Sequence, residues 1–143
     1  MPVAAHAHGT EGIAAAVAAG VDTIEHCTWM GRAGSDVRAD LVDAIAARGV
    51  RLLPGTDAGV PHAVFDGFVS SLEFFAHIGL APAEIVDLAT SGAARALGIG
   101  GDTGRLVAGL RADLLVVDGD PLADVAALRA VRLVVAGGRR AGG

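Results

Sequence analysis

Four side chains that combine imidazole with carboxylate are the residues best suited to chemistry. His6 and His8 stand one residue apart, His26 ends the segment Val-Asp-Thr-Ile-Glu-His, and Asp57 lies within Gly-Thr-Asp-Ala-Gly. Neutral imidazole nitrogens and a carboxylate oxygen suit a divalent metal such as zinc. A carboxylate beside a metal-bound water can take its proton. The residue types therefore predict the constellation of a metal-dependent hydrolase.

The pattern of the surrounding chain predicts that these side chains meet. Residues 2–8 and 21–26 are predicted strands on either side of an alanine-rich helix that ends at Gly20. A strand–helix–strand unit has parallel strands, and their C-terminal ends lie on one rim of a sheet. A third predicted strand, VRLLPG, runs directly into the GTDAG segment. The residues expected at this rim are His6, His8, His26 and Asp57.

Each of these residues also has an ordinary structural interpretation. A single histidine at a strand end is commonly a satisfied polar group, and Asp57 can cap a helix or form a turn. Cys27 next to His26 points to the opposite face of a strand, which favours a buried thiol. His62 is either a loop side chain or a substrate contact, and His77 is expected on a helix face.

Further elements follow from hydrophobic periodicity. A helix is expected around 37–48, with Gly49 at its end, and another over 63–78. A third, continuous helix is expected over 83–98, and the β-branched tail favours antiparallel strands. The apolar face of the first of these helices comprises Val37, Leu41, Val42 and Ile45. The aromatic core residues expected in the second are Phe65, Phe68, Phe74 and Phe75.

Composition excludes several classes of protein. The chain has 143 residues, 52% of them hydrophobic and 3% aromatic, so it is expected to fold around an aliphatic core. Its net charge is −5 and no stretch clusters arginine, which argues against nucleic acid as a partner. All 11 basic residues are arginine, so no lysine chemistry is possible. A single cysteine, no apolar run as long as a membrane span and no basic leader predict a cytoplasmic protein.

Five segments follow one another along the chain in a recognisable order: VAAHAHG, AAGVDTIEHC, GTDAGVPH, LATSGAARALGI and DTGRLVAGLRADLLVVDGDPL. Together they resemble one family, the metal-dependent amidohydrolases. The resemblance is to the C-terminal half of the imidazolonepropionase and prolidase-like branch. It implies an α/β fold, namely part of a (β/α)8 TIM barrel over residues 1–99, followed by strands of a small β-sandwich over 100–143.

The resemblance also implies roles for individual residues. His6 corresponds to the fifth-strand metal ligand, His26 to the sixth-strand ligand, and Asp57 to the eighth-strand carboxylate that binds metal and shuttles a proton. His8 is expected in the second shell or in contact with substrate, and His62 in contact with substrate. The implied cofactor is a divalent metal, zinc in the first place, and the implied substrate is a small molecule with a carbon–nitrogen bond.

Three departures from the family pattern limit this expectation. The first-strand HxH motif and the fourth-strand lysine are absent, and the pattern is shortened between Pro54 and Gly55 or its two strands have merged. A full barrel takes about 250 residues, so a partial barrel with open edges is expected, together with self-association or a complementing half-barrel. The alternatives are an amidohydrolase, a non-catalytic truncated fragment, and a binding module unrelated to hydrolysis.

Overall fold

The structure, a computed structural model, describes residues 1–59 and 64–141. The chain divides into two compact units, Met1–Ile78 and Gly79–Gly143. The first unit contains β1 (Ala4–Gly9), α1 (Thr10–Ala19), β2 (Thr23–Gly31), β3 (Gly34–Ser35), α2 (Ala39–Arg48), β4 (Arg51–Leu53) and α3 (Phe68–His77). The second contains α4 (Pro82–Ala89), α5 (Ser91–Ala96), β5 (Leu114–Val117), β6 (Val131–Ala136) and β7 (Arg139–Ala141). This is a mixed α/β fold.

The predicted strand–helix–strand unit is confirmed. β1 and β2 pair in parallel, with Ala4 opposite Thr23, and α1 connects them. The helix ends at Gly20, whose left-handed conformation lets its backbone N–H reach two carbonyls of the last turn. α2 connects β2 to β4 in the same way, and β4 pairs in parallel with β2. The C-terminal ends of β1, β2 and β4 therefore share one rim.

β2 departs from the prediction because it continues past His26 to Gly31. In its pairing with β1, Ala7 lies opposite His26, but Gly9 lies opposite Met30. β1 thus contributes one residue where β2 contributes three. The excess is a bulge, and non-glycine residues of β2 take positive φ angles in it: 69° at His26, 51° at Cys27 and 54° at Trp29.

The core of the first unit lies against this sheet. The largest side chain in it, Trp29, is fully buried, and α3 adds Leu72 and Phe75. Of the predicted aromatic core, Phe75 is confirmed, whereas Phe68 is wrong because it is 36% exposed at the start of α3. α1 and β2 supply the other fully buried aliphatic side chains, Ile13 and Ile24.

The second unit corrects the expectation of one continuous helix after residue 82. α4 begins with Pro82, and the Glu84 carboxylate accepts the Ala81 backbone N–H at 2.8 Å. The helix breaks at Thr90, whose backbone is not helical (φ −131°, ψ −98°), and α5 starts at the next residue. The Thr90 hydroxyl donates a hydrogen bond to the Val86 carbonyl at 2.6 Å. A bond of this kind competes with regular helix geometry.

The tail forms the predicted antiparallel strands. β6 pairs with both β5 and β7, which gives the sheet order β5–β6–β7. Asp113, just before β5, accepts hydrogen bonds from the Gly137 backbone N–H at 2.7 Å and from the Thr103 hydroxyl at 2.9 Å. It also pairs with Arg111 at 2.5 Å. One carboxylate therefore ties three segments of this unit together.

The compact units and the predicted domains describe different things. The units part at 78/79, whereas the predicted change from barrel to sandwich segments lies at 99/100. Compactness does not show which segments belong to a barrel and which to a sandwich. The predicted boundary at 99/100 therefore stays a prediction. Among the helices of the described residues, none has the length and apolar character needed to cross a membrane.

Candidate metal centre

The structure brings His6, His8, His26 and Asp57 together at the rim of the first sheet. Their potential ligand atoms all lie within 4.8 Å of one another. The imidazole rings surround a common point, with centroids 4.8 Å apart for His6 and His8, 4.5 Å for His6 and His26, and 4.7 Å for His8 and His26. The expected convergence of His6, His26 and Asp57 is thus observed, and His8 joins them.

Asp57 faces all three imidazoles. Its Oδ2 lies 2.8 Å from Nε2 of His8 and 3.6 Å from Nε2 of His6, and its Oδ1 lies 3.1 Å from Nε2 of His26. The hydrogen bond with His8 is the main cause that lowers the pKa of Asp57, and the nearby imidazoles add to it while desolvation opposes it. An ionised carboxylate is therefore favoured at the centre of the cluster.

The segment that carries Asp57 is held in place on both sides. The Ser71 hydroxyl on α3 donates to the Gly55 carbonyl at 3.2 Å. The Thr56 hydroxyl accepts the Ala58 backbone N–H at 3.1 Å, and Asp57 itself has a positive φ of 50°. Strained backbone of this kind is concentrated at functional sites. It turns the carboxylate back over the strand ends.

Gly55 leaves room for the His26 ring. A Cβ atom at this position would lie 2.7 Å from Cε1 and 2.9 Å from Nδ1 of His26, which is closer than van der Waals contact allows. The His26 side chain is only 8% exposed, and its Nδ1 is buried without a hydrogen-bond partner in the described part of the chain. A buried, unsatisfied imidazole nitrogen is an unusual feature that calls for an explanation.

Thr28 is the neighbour that sequence reasoning missed. Its hydroxyl oxygen lies 2.9 Å from Nδ1 of His8. Thr28 stands two residues after His26, but the bulge and the positive φ angles at His26, Cys27 and Trp29 break the regular strand alternation. The sequence spacing therefore gives no signal for this contact.

The other singled-out residues lie elsewhere. His62 falls outside the described residues, so its predicted substrate contact stays a prediction. His77 lies on α3, near the Phe74 ring and outside the cluster. Cys27 is a buried free thiol, and burial raises its pKa to about 12, which keeps it protonated. The expectation of a buried thiol is confirmed.

This donor set fits a divalent metal. Imidazole nitrogens and an ionised carboxylate are the hard-to-borderline ligands that zinc and similar ions take in catalytic sites. The buried Nδ1 of His26 adds a polar atom for which the described residues supply no hydrogen-bond partner. The arrangement, parallel strands that present histidines and an aspartate on one rim, is of the kind that metal-dependent hydrolases with parallel α/β folds use.

Comparison with known proteins identifies the family to which the chain belongs. The sequence profile of the amidohydrolase family matches residues 32–141, more than half of the chain, and the chain belongs to this family. An imidazolonepropionase from Rubrobacter xylanophilus is 54% identical over 41 residues, which cover 29% of this chain and 10% of the relative. The expected resemblance to this branch is confirmed.

Solved structures agree along the whole chain. A Xaa-Pro dipeptidase with methionine bound in its active site is 25% identical, with a TM-score of 0.70, and matches 100% of this chain and 45% of its own. An amidohydrolase is 27% identical, with a TM-score of 0.58, and matches 98% of this chain and 44% of its own. The chain therefore spans less than half the length of these relatives.

Proposed function

We propose that this chain carries the metal-binding and proton-transfer residues of a hydrolase that cleaves carbon–nitrogen bonds in a small molecule. The observation that carries the proposal is the convergence of three imidazoles on the Asp57 carboxylate. His6, His26 and Asp57 would hold a divalent metal, for which zinc is the first candidate. The names of the similar proteins favour an amide, dipeptide or cyclic amide as substrate.

When bound, the metal would supply an activated water for attack on the substrate carbonyl carbon. Asp57 would accept the proton of that water and pass it to the departing nitrogen. Its lowered pKa suits the first part of this role, because an ionised carboxylate is ready to accept. His8, beside Asp57, and His62 would contact the substrate.

We also propose the larger architecture. Residues 1–99 would form part of a (β/α)8 barrel, and residues 100–143 would supply strands of a small β-sandwich. Parallel β1, β2 and β4 joined by α1 and α2 support the first statement, and antiparallel β5–β7 support the second. A cytoplasmic location is supported by the single, buried, free thiol.

A second candidate function is a non-catalytic fragment or a half-barrel that works only with a partner chain. The observation that favours this alternative is that the chain matches only 45% of the length of the Xaa-Pro dipeptidase and 44% of that of the amidohydrolase. The partner would be a complementing half-barrel or a second copy of this chain. Zinc binding without turnover by the isolated chain would support this alternative over independent catalysis.

Zinc titration of the purified chain tests the proposal. We expect weak binding, lowered by about tenfold or more in His26→Ala, because loss of a ligand or of its support commonly costs 10- to 100-fold in affinity. His77→Ala is the matched control, since His77 lies on α3 outside the cluster. Tight one-to-one binding that survives His26→Ala would show that other residues form the site.

Hydrolysis assays on the zinc-loaded chain test the chemistry. A panel of Xaa-Pro dipeptides, N-acyl amino acids and cyclic amides is scored for release of amine or ring opening. If any is hydrolysed, we expect Asp57→Asn to lower the rate by about 10²- to 10⁴-fold, since general acid–base catalysis contributes that much. Full activity in Asp57→Asn would overturn the proposed role of Asp57.

A further inference from the structure

The His8 imidazole is held from both sides within the protein. Its Nε2 lies 2.8 Å from Asp57 Oδ2, and its Nδ1 lies 2.9 Å from the Thr28 hydroxyl oxygen. The same hydroxyl lies 3.4 Å from the backbone oxygen of His8. His26, by contrast, has one ring nitrogen at Asp57, and its other ring nitrogen meets no hydrogen-bond partner among residues 1–59 and 64–141. Thr28 therefore makes His8 different from its neighbour.

The two partners of His8 engage both of its ring nitrogens. An ionised carboxylate can only accept, so Nε2 of His8 donates to Asp57. The partner of Nδ1 is the Thr28 hydroxyl oxygen, and that hydroxyl also donates to the backbone carbonyl of His8. With both nitrogens engaged, His8 has no free lone pair for a metal. His6 and His26 remain as the imidazole ligands.

The bulge in β2 explains how Thr28 reaches His8. Cys27, Thr28 and Trp29 together lie opposite the single residue His8 of β1. Cys27 and Trp29, on either side of Thr28, are fully buried and have positive φ angles. A left-handed backbone of this kind is unfavourable for an L-residue. Strain held by buried neighbours is characteristic of sites where a side chain is aimed for function.

We propose that Thr28 is a positioning residue of the metal centre. Its hydroxyl fixes the His8 ring so that the Nε2–H group restrains the Asp57 carboxylate. The inference deepens the proposed function and rests on it, because the orientation of Asp57 matters for metal and water only if the centre binds metal. The hydrogen bonds themselves exist in the metal-free chain and can be measured there.

Nitrogen-15 NMR of the histidine rings in the metal-free chain provides the first test. The Nδ1 resonance of His8, assigned by its loss in His8→Gln, reports the hydrogen bond made at this nitrogen. We expect this resonance to move in Thr28→Val, which keeps the shape and removes the hydroxyl, and to return in Thr28→Ser. Thr23→Val is the control, a buried threonine on the same strand. An unchanged His8 resonance in Thr28→Val would overturn the proposal.

Zinc affinity in a double-mutant cycle provides the second test. We expect Thr28→Val to weaken zinc binding by about tenfold and Thr28→Ser to restore it to within about threefold, since partners that orient a site commonly contribute at this level. In the His8→Gln background, Thr28→Val should have no further effect. An equal effect in both backgrounds, with circular dichroism unchanged, would show that Thr28 acts independently of His8 and would refute the proposal.

The two tests separate this inference from the proposed function. If the wild-type chain binds no zinc, the metal centre is refuted as proposed, and with it the link from Thr28 to metal. The ring resonances then still decide whether Thr28 orients His8. Suppose that the chain binds zinc, that His26→Ala weakens zinc binding, and that the His8 resonance does not change in Thr28→Val. The proposed metal centre is then supported, and the positioning role of Thr28 is wrong.

Discussion

His26 has the tightest surroundings of the three histidines around Asp57. Its side chain is 8% exposed, compared with 34% for His8 and 55% for His6. The ring lies against the backbone of Gly55, where there is no space for a methyl group. The position of one imidazole thus depends on a neighbour that contributes no side chain at all.

Gly55→Ala is expected to damage the site more than the fold. The added Cβ would meet the end of a movable ring rather than backbone, so the His26 ring would shift and the chain would still fold. We expect zinc affinity to fall by about 10- to 100-fold, the usual cost of disturbing the support of a metal ligand. Isothermal titration measures the affinity, and circular dichroism checks the fold.

Gly101→Ala is the control for this experiment. A Cβ at Gly101 meets nothing within 4 Å. Zinc affinity should therefore match that of the unmodified chain. Equal affinities for Gly55→Ala and the unmodified chain would show that His26 does not depend on this close contact.

At the residue scale, the sequence predicted the site correctly for residues whose type suits few roles other than metal binding. Histidines and an aspartate after predicted strands have few structural reasons to gather, so their convergence could be anticipated. Thr28 could not be distinguished, because its contact with His8 depends on a bulge that no local pattern in β2 announces. Gly55 escaped for a similar reason, since its importance lies in a distance to a ring from another strand.

At the scale of elements, Asp113 makes the stability of the β5–β7 sheet depend on pH. The backbone N–H of Gly137 is the main cause that lowers the pKa of Asp113, followed by Arg111, with the Thr103 hydroxyl adding to both. The pKa in the folded state is therefore below the unfolded value of about 3.9. The stabilisation is fully present above that value and is lost as the pH falls through the lower, folded-state pKa.

Asp113→Asn should consequently lower the melting temperature near neutral pH. The difference from the unmodified chain should begin to shrink as the pH falls below about 4, where the carboxylate of the unfolded chain becomes protonated, and should be lost as the pH falls through the lower, folded-state pKa. Thermal unfolding followed by circular dichroism from pH 7 to pH 3 measures this. Asp43→Asn, an exposed position on α2, serves as the control. A constant difference across the whole range would contradict the role assigned to the charge of Asp113.

The loop that precedes β5 offers a matched pair of glycines. Gly104 and Gly109 have nearly the same positive φ, 91° and 92°. A Cβ at Gly104 would lie 2.6 Å from Cβ of Ala94 and 3.1 Å from the Thr90 carbonyl oxygen, whereas a Cβ at Gly109 would meet nothing. An alanine would suffer the same backbone strain at both positions. The positions differ only in the room that they leave for its Cβ atom.

Gly109→Ala should therefore destabilise the chain by about 1 kcal/mol, the cost of alanine in a left-handed backbone. Gly104→Ala should cost about 1–3 kcal/mol more, because overpacking adds to that strain. Urea unfolding measures both free energies. Equal losses for the two variants would mean that α5 moves aside without cost.

Elements were predicted well where their signals are local. Gly20 and Gly49 both end helices in the left-handed conformation, as the sequence indicates. The break at Thr90 was missed because the apolar pattern continues through it from α4 to α5. Gly92 explains the sharp turn there, since a Cβ would lie 2.8 Å from the Asp87 carbonyl oxygen, a closeness that only the folded chain reveals.

At the scale of the whole molecule, apolar surface and strand edges favour association. In the first unit Val3, Met30 and Val64 are more than half exposed, and β1 pairs only with β2 among the described strands. In the second unit, Leu106, Val107 and Leu122 are also more than half exposed. Exposed apolar surface and an unpaired strand edge are typical of surfaces that bind another chain.

Light scattering of the purified chain is expected to show dimers or larger species. Association would bury the apolar side chains and pair the free edge of β1. A stable, monodisperse monomer of 14.2 kDa would contradict both self-association and the need for a complementing half-barrel. With such a monomer no partner half would need to be sought by co-expression, and the proposed partial barrel with open edges would be wrong.

The family of the chain could be predicted from the sequence, but its arrangement in space could not be predicted to the same depth. Motifs such as GTDAG occur along this chain in the same order as in the family, and the family can be identified from that order. The number of strands that close a barrel depends instead on partners across sheet edges. Those partners lie far apart in sequence or in another chain, so local patterns carry little information about them.

The parallel pairing in the first unit has a consequence for the order of folding. β1 reaches β2 across one short helix, as Ala4 pairs with Thr23, and β2 then reaches β4 across the next, as Thr23 pairs with Arg51. Short loops lose less entropy on closure, and chains rich in such near-neighbour contacts fold quickly. We therefore expect the imidazoles of His6, His8 and His26 to be brought together by the first closure and the carboxylate of Asp57 to join them at the second, so that the basic half of the centre forms before its acidic half.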